Sequence, residues 1–590
     1  EGYTKKNLIE GKLYYTTRVL LVKEIGRKKK IFLLHKPEEI REVETTVNKL
    51  FVIYYSLFCL ILMSIPMVST YEITGVFVGK KVTGETLGYD FSNDYGVEWQ
   101  MDFGSDSSYG ARYEGPQPIG DCDNDGENEL LVGGRDSRLR VFEWDENKQT
   151  FLEMHTLRNP FYPMIDMDAG GFAIGDLTGD GENEIAATWD AAVYKWKGNK
   201  YNVIGWDTWI FQNGGGSADC YIGDCDNDGV NELVMSGGPM IKGSPVPEIM
   251  VYQWNGFKLV KDGEWKNPSH ISSYRYVYMA SVADVDDDGE NEIVCGSAFK
   301  VFVLDWNKEN REFETTVIKN CDSSSWQYPF ACVCKDSDMD GKNEIHIGYS
   351  TPEISVFEWN GTGYSLKFEK KWDGEKPVIE ALDVGDADND GIPEVCAGTN
   401  LIHILQWNGS TYVEENVLPT FGTLAVLNIG DCDNDGENEI HAGSVWVDPG
   451  EDFMSWVFKY GYYNPLKEEK NKEEGTGSLK VIVKQSIVGL PLDCGSVAAW
   501  NLENKIWYDI PAVYGEKGVF YRNNLPAGGY LLRVTMEGYT AQETNIDIVD
   551  GEETSHTFTL QSNHIRNIMM KNHIGLCLFN KFLQKIVKKS

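Results

Sequence analysis

Seven segments of the sequence carry carboxylates at one spacing. They read IGDCDNDGENEL (119–130), IGDLTGDGENEI (174–185), IGDCDNDGVNEL (222–233), VADVDDDGENEI (282–293), CKDSDMDGKNEI (334–345), VGDADNDGIPEV (384–395) and IGDCDNDGENEI (429–440). Counted from the leading Asp, oxygen-bearing side chains fall at positions 1, 3, 5 and 9, with Gly at position 6. The side chains are Asp121, Asp123, Asp125 and Glu129; Asp176, Thr178, Asp180 and Glu184; Asp224, Asp226, Asp228 and Glu232; Asp284, Asp286, Asp288 and Glu292. The last three sets are Asp336, Asp338, Asp340 and Glu344; Asp386, Asp388, Asp390 and Glu394; Asp431, Asp433, Asp435 and Glu439. Position 7 would add a backbone carbonyl, from Glu127, Glu182, Val230, Glu290, Lys342, Ile392 and Glu437. Hard oxygen donors in this number, around a turn that glycine makes sharp, favour calcium over transition metals and over octahedral magnesium. Up to seven calcium ions are expected, with weaker binding at the second loop because Thr178 replaces a carboxylate.

Two other readings of these loops fail. An EF-hand needs an acidic residue at position 12, which here is Val132, Ala187, Met235, Cys295, Ile347, Ala397 or Ala442. A single Asp/Asn/Gly cluster can simply make a polar turn, but seven copies with the same donor positions argue for ligation. Without an ion the carboxylates of each loop repel one another, so metal binding is expected to contribute folding free energy.

The elements that must hold these loops follow from the residues around them. After each loop comes a short apolar run, a turn, and a second run ending in an aromatic: FEW (142–144), YKW (194–196), YQW (252–254), LDW (304–306), FEW (357–359), LQW (405–407) and FKY (458–460). Asn-Gly follows three of them, at 255–256, 360–361 and 408–409, and is a strong hairpin signal. Four strands in about 50 residues, repeated seven times, predict an all-β chain built as a seven-bladed β-propeller. A linear solenoid is the alternative, and it would need capping units and shorter repeats. Residues 97–103 precede the first complete unit and are predicted to close the ring against the strand near Phe458.

The repeats resemble the FG-GAP/VCBS family of calcium-binding propeller repeats, found in integrin alpha-subunit propellers and many microbial surface proteins. The resemblance covers about residues 97–460 and is specific in the loop. It implies that calcium loops join the inner two strands on one face, and that partners bind the opposite face. Aromatic residues entering the innermost strands would then line a ligand face: Phe161, Tyr162, Trp209, Phe211, Tyr274, Tyr276, Trp326 and Tyr328. Packing between blades is the alternative role for each.

Residues 464–477 are charged and read as a linker, and 478–560 alternate polar and apolar residues as in a small antiparallel β-sandwich. NLPAGGYLLRVTMEGY (524–539) resembles carboxypeptidase-regulatory-like and PEGA modules, which implies a transthyretin-like sandwich with an accessory role. Leu50 to Tyr71 is uncharged, and the basic run Arg27–Lys30 precedes it. This predicts an N-terminal hydrophobic helix, either a membrane anchor with 1–49 on the cytoplasmic side or a cleaved signal peptide, followed by a linker over 72–96. The first Met is Met63, so 1–49 also reads as an artefact of where the chain was taken to begin. The tail 561–590 is basic, with apolar residues at near-helical spacing, and reads as a surface-seeking amphipathic helix or a frayed end.

Charge narrows the partners. The chain of 590 residues has a net charge of −37, but residues 1–49 carry +5 and 561–590 carry +6, which leaves −48 between them. A body this acidic repels phosphate backbones and anionic lipid, so a nucleic acid partner is excluded. No CxxC occurs among the 12 cysteines, which excludes zinc-ribbon spacing and leaves disulfides open. No HExxH, GxSxG or P-loop is present, so no catalytic residue is assigned. The expected function is a monomeric, exported binding or adhesion protein with a protein or glycan ligand. The alternative is an extracellular polysaccharide lyase or hydrolase on the same scaffold. Sequons at Asn360 and Asn408 fall on predicted hairpins.

Overall fold

The computed structural model describes 19–25, 28–34 and 40–43, and most of 94–562. Within the latter it omits 106–116, 135–137, 161–170, 189–190, 208–214, 240–245, 269–274, 376–377, 421, 449–450, 463–474, 487–488, 493–494 and 514. The apolar run 50–71, the stretch 72–93, most of the 464–477 linker and the tail from 563 lie outside the described residues. Among the described residues no helix is long and apolar enough to cross a membrane. The chain divides into two units, 1–81 and 82–590. In the first, strands Val19–Ile25, Lys28–Leu34 and Ile40–Val43 form an antiparallel meander, an element the sequence reading did not anticipate.

The second unit is all-β among its described residues. Six four-stranded antiparallel sheets follow one another, each in chain order. Sheet 1 is Ile119–Gly120, Glu129–Gly134, Arg138–Asp145 and Thr150–Arg158; sheet 2 is Phe172–Gly175, Glu184–Ala187, Ala192–Trp196 and Tyr201–Gly205. Sheet 3 is Gly215–Gly223, Glu232–Pro239, Ile249–Trp254 and Leu259–Trp265; sheet 4 is Ala280–Ala283, Glu292–Ser297, Lys300–Asn307 and Glu312–Asn320. Sheet 5 is Pro329–Lys335, Glu344–Tyr349, Glu353–Trp359 and Tyr364–Lys371; sheet 6 is Ala381–Gly385, Glu394–Gly398, Leu401–Trp407 and Tyr412–Pro419. A seventh set, Thr423–Gly430, Glu439–Trp446 and Met454–Tyr460, takes its fourth strand from the other end of the chain, Tyr95–Asp102. That is the pairing expected of 97–103: Phe458 faces Val97 and Met454 faces Asp102.

The burial gradient across each sheet explains its sequence. Second strands are buried along their whole length, as in Glu292–Ser297 and Glu344–Tyr349. Fourth strands alternate and carry charges along an open edge, as in Glu312–Asn320, which discourages pairing with another chain. The terminal Trp of a third strand packs on the first aromatic of the fourth: Trp144 on Phe151, Trp196 on Tyr201, Trp306 on Phe313, Trp359 on Tyr364 and Trp407 on Tyr412, at 4.8–5.0 Å between ring centroids. Such pairs contribute about 0.5–1.5 kcal/mol each beyond burial.

First strands pack beside one another. A Cβ on Gly175 would stand 3.0 Å from Ile222, one on Gly385 3.0 Å from Ile429, and one on Gly430 3.4 Å from Ile119. The last of these brings the seventh set against sheet 1. The Ile-Gly-Asp motif therefore serves packing: the Gly of one sheet leaves room for the Ile of the next.

Residues 476–560 form two further layers around one core that includes Leu479, Val481, Phe520, Tyr530, Leu532 and Phe558. Val519–Pro526, Thr476–Gln485 and Glu553–Leu560 make one sheet. The other, Trp507–Asp509, Ser496–Asn501, Gly528–Thr535 and Gln542–Ile548, continues the seventh set, because Trp507 and Tyr508 pair in parallel with Met101 and Asp102. It also docks on sheet 1, with Trp507 Nε1 donating to Thr150 Oγ1 (3.1 Å) and Ser496 Oγ to Glu153 Oε2 (2.8 Å). The C-terminal layers are thus seated on Tyr95–Asp102 and on sheet 1.

Candidate metal centres

All seven acidic loops share one internal wiring. The amide of the position-6 glycine donates to Oδ2 of the leading Asp at 2.8–3.0 Å, from Gly126 on Asp121 through Gly436 on Asp431. These glycines have φ between +85° and +97°, a conformation other residues adopt only with strain. The position-7 amides of Glu127, Glu182, Val230, Glu290, Lys342, Ile392 and Glu437 donate to Oδ1 of the position-5 Asp at 2.8–3.1 Å. The position-9 Glu opens the second strand and is at most 2% exposed in every copy. Its Oε2 accepts the position-2 amide at 2.7–3.0 Å. One carboxylate oxygen is thus fixed to backbone, and Oε1 remains for whatever the loop holds.

The side chain at position 2 is core in all seven: Cys122, Leu177, Cys225, Val285, Ser337, Ala387 and Cys432 are all buried. The three cysteines among them are free thiols, and no disulfide occurs among the described residues.

The predicted ligand side chains converge. One oxygen each of Asp121, Asp123, Asp125 and Glu129 lies within 4.8 Å of the others, as do those of Asp224, Asp226 and Asp228, of Asp284, Asp286 and Glu292, and of Asp336, Asp338 and Asp340. At the seventh loop Glu98 from the closing strand joins Asp433 and Glu439. Glu98 stands outside the loop motif, and nothing in the sequence of its strand sets it apart from Asp102 as a ligand. Several of these oxygens are buried with no hydrogen-bond partner: Glu232 Oε1, Asp286 Oδ1, Asp336 Oδ1 and Asp386 Oδ1. A buried carboxylate oxygen left this way is costly unless a proton or a hard cation partners it. Burial pushes the carboxyls of Glu129, Glu232 and Glu292 up to about 8 and that of Glu394 to about 7.

Three loops hold an ammonium group. Lys195 Nζ lies 2.8 Å from Asp180 Oδ1 and 2.5 Å from Glu184 Oε1. Lys459 Nζ lies 3.0 Å from Asp433 Oδ2, 2.7 Å from Asp435 Oδ2 and 2.7 Å from Glu439 Oε1. Lys367 Nζ meets Asp338, and Glu344 Oε1 at 2.7 Å. Thr178, at the position where a carboxylate is missing, donates to Glu184 Oε1 at 3.0 Å.

Asparagines tie each loop to the next. The position-8 Nδ2 donates to the carbonyl of the preceding loop's leading Asp at 2.8–2.9 Å: Asn183 to Asp121, Asn231 to Asp176, Asn291 to Asp224, Asn343 to Asp284, Asn438 to Asp386 and Asn128 to Asp431. Where position 4 is also Asn it accepts the next position-8 amide at 2.6 Å, as Asn434 does from Asn128. Position 8 of the sixth loop is Pro393, which has no such donor. The repeated Asn was visible in sequence but reads there as turn composition. Asn128→Ala removes one of the bonds that span the join between the last loop and the first. It should lower stability by about 1 kcal/mol, measured by urea denaturation with calcium present.

The aromatic ligand face is only partly described. Phe161, Tyr162, Trp209, Phe211 and Tyr274 lie outside the described residues. Tyr328 is fully buried and donates to Tyr276 O at 2.6 Å, so it is a packing residue and not a free ligand contact. Tyr276 is half-buried, and Trp326 is exposed beside Phe299. A Ser–His contact also occurs, Ser337 Oγ to His346 Nε2 at 2.8 Å, but both residues are fully buried and burial pulls the imidazole down to about 3. That pair can neither reach a substrate nor act as a base near neutrality.

Two family models match parts of this chain. The FG-GAP-like repeat matches residues 121–187, from the leading Asp of the first loop to the end of the second strand after the second loop. The KICSTOR complex protein kaptin model matches residues 315–417, across the fifth and sixth loops. The chain therefore carries FG-GAP-like repeats within an all-β architecture of repeated four-stranded sheets. No curated protein matches it. Solved structures similar to it include a crystal structure of BBS1N in complex with ARL6DN soaked with mercury and its lead-soaked counterpart. Each is 12% identical with a TM-score of 0.40, covering 62% of this chain and 97% of that one.

Proposed function

We propose that residues 95–460 are a seven-bladed, calcium-binding propeller of FG-GAP/VCBS type that presents a binding surface for a protein or glycan, as a secreted or cell-surface adhesion protein does. In this reading 476–560 is a transthyretin-like sandwich that braces the ring. The observation that carries the proposal is the common wiring of the seven loops, with buried carboxylate oxygens left free to face an ion. In the loops whose position-9 Oε1 no lysine occupies, Asp at positions 1, 3 and 5 and that Oε1 would hold calcium, and the ion would neutralise carboxylates that burial otherwise keeps protonated. The strongly acidic body and the apolar run 50–71 support export. The test is a glycan and protein array probed with the full chain, with and without calcium. Calcium-dependent binding is expected, and its absence on every probe would sink the adhesion reading.

A pH signature follows from the same carboxyls. Their folded-state values lie above the ordinary carboxylate range, so in a chelator the folded form binds more protons than the unfolded form, and stability falls as pH rises through about 8. Buried His346 and His441, held at about 3 and 4 by burial, act in the opposite sense only below about pH 6.5. Between pH 6.5 and 8.5 the melting temperature in EDTA should therefore fall by several degrees, while in calcium it should stay level. Scanning calorimetry across that range checks this.

A further inference from the structure

Resting on the calcium reading, we infer that the seven loops are of two kinds: the first, third, fourth and sixth take an exchangeable cation, and the second, fifth and seventh are filled by the chain's own lysines. The distinction is set by the residue that faces the position-9 Glu across the sheet. Register pairs Glu184 with Lys195, Glu394 with Gln406 and Glu439 with Lys459. The same place is taken by Glu143, Gln253, Asp305 and Glu358 in the other sheets.

Lys195 and Lys459 are therefore aimed into their own loops by the strand they stand on. In sheet 5 that place is Glu358, and the ammonium comes from the fourth strand instead. Lys367 is the extra residue of a bulge between Leu366, which faces Phe357, and Phe368, which faces Val356. All three ammonium groups bond the Oε1 that the position-9 wiring leaves free. All three side chains are at least nine-tenths buried. An ion seated there would have to displace a bonded cation or share its ligands with one.

The other four loops lack this feature. Glu232 Oε1 is wholly buried and has no hydrogen-bond partner, and Asp286 Oδ1 and Asp386 Oδ1 are likewise unpartnered. Gln406 Nε2 donates to Glu394 Oε1 (3.0 Å) and Asp390 Oδ2 (3.1 Å), and the amide can turn to offer its oxygen to an ion instead. The fifth loop keeps Asp336 Oδ1 unpartnered despite Lys367, so of the three lysine loops it is the one whose ammonium leaves a donor over. Thr178 in the second loop fits the assignment as well: a site neutralised by one lysine needs one carboxylate fewer.

Calcium stoichiometry of the full chain tests the assignment, by equilibrium dialysis and native mass spectrometry. The intact protein is expected to bind four ions. Lys195→Met and Lys459→Met should each raise the count to five, and Gln253→Lys should lower it to three. Terbium luminescence excited through the aromatic residue near the end of each third strand, Trp in six sheets and Tyr460 in the seventh set, gives a second readout, with one more emitting site expected in each Lys→Met variant. If a Lys→Met chain does not fold, Gln253→Lys and the count for the intact protein decide the question. Seven ions on the intact protein, or an unchanged count in Gln253→Lys, overturns the lysine assignment and leaves the calcium reading standing. No bound calcium overturns both.

Discussion

Stripping calcium from the full chain should lower its melting temperature by about 10–20 °C. The figure follows from linkage: an ion at about a hundred times its dissociation constant stabilises by about 2.7 kcal/mol per site, so four sites supply about 10 kcal/mol. At roughly 2 °C per kcal/mol for a chain of this size, the shift is of that order. The structural cause is concentrated in the loops. Each places three or four carboxylates in one turn, fixes the leading Asp to a glycine amide, and buries the position-9 Glu in the second strand of a sheet covered on both faces. Chelation leaves those groups either charged and repelling or protonated at a cost, and the Asn links pass the strain to neighbouring loops. The Lys195 and Lys459 loops keep their own cation, so sheet 2 and the seventh set should be the last to lose amide protection in EDTA. Hydrogen exchange with calorimetry checks both parts. A melting temperature that moves by less than about 1 °C would refute calcium as a folding ligand, since even one site at that saturation is worth more.

The opening pattern of carboxylates carried most of this. Position, donor type and the glycine at position 6 are properties of a short segment, so the seven loops and the strands that flank them were legible directly. The closing strand was legible too, because Val97 to Phe103 had the pattern of an outer strand with no sheet of its own. What escaped depends on contacts between segments far apart in sequence. Lys195 reads as one charge in an aromatic strand until register sets it opposite Glu184. Glu98 reads as an outward residue until the strand pairs 360 residues later with Val457 and Phe458 and turns it into the seventh loop. Tyr328 reads as a ligand aromatic because it enters an innermost strand, yet its hydroxyl accepts the amides of Tyr276 and Ala298 inside the fold. The net charge reads differently as well. The acidity between residues 50 and 560 is in part already answered by lysines that the chain places inside its own loops.

Asp509→Ala should cost about 3–5 kcal/mol, because it removes one partner of a buried ion pair. Asp509 lies in Trp507–Asp509, the short strand that carries the sheet from the closing strand into the C-terminal module. Its Oδ1 accepts from Arg140 Nη2 at 3.2 Å, and the two side chains are 1% and 0% exposed. Arg140 belongs to the third strand of sheet 1 and lies over the Phe103 ring, 5.2 Å from its centroid. The pair therefore joins three pieces: the first repeat, the end of the closing strand, and the module. Arg522 bonds Asp102 at the same join, and Arg533 Nε donates to Glu153 O at 2.9 Å, so module and ring are coupled through charged donors as well as through Trp507. Two consequences are expected in urea, followed by tryptophan fluorescence. The intact chain should unfold its ring and module together, whereas Asp509→Ala should lower the midpoint and separate the module's transition from the ring's. Asp509→Asn, which keeps an acceptor beside Arg140, should lose less than the alanine variant. Glu516→Ala, an exposed change in the same module, should stay within about 0.5 kcal/mol of the intact chain. If Asp509→Ala matched that control, residues 476–560 would be a passenger on the ring and not the brace that holds its closing strand in place.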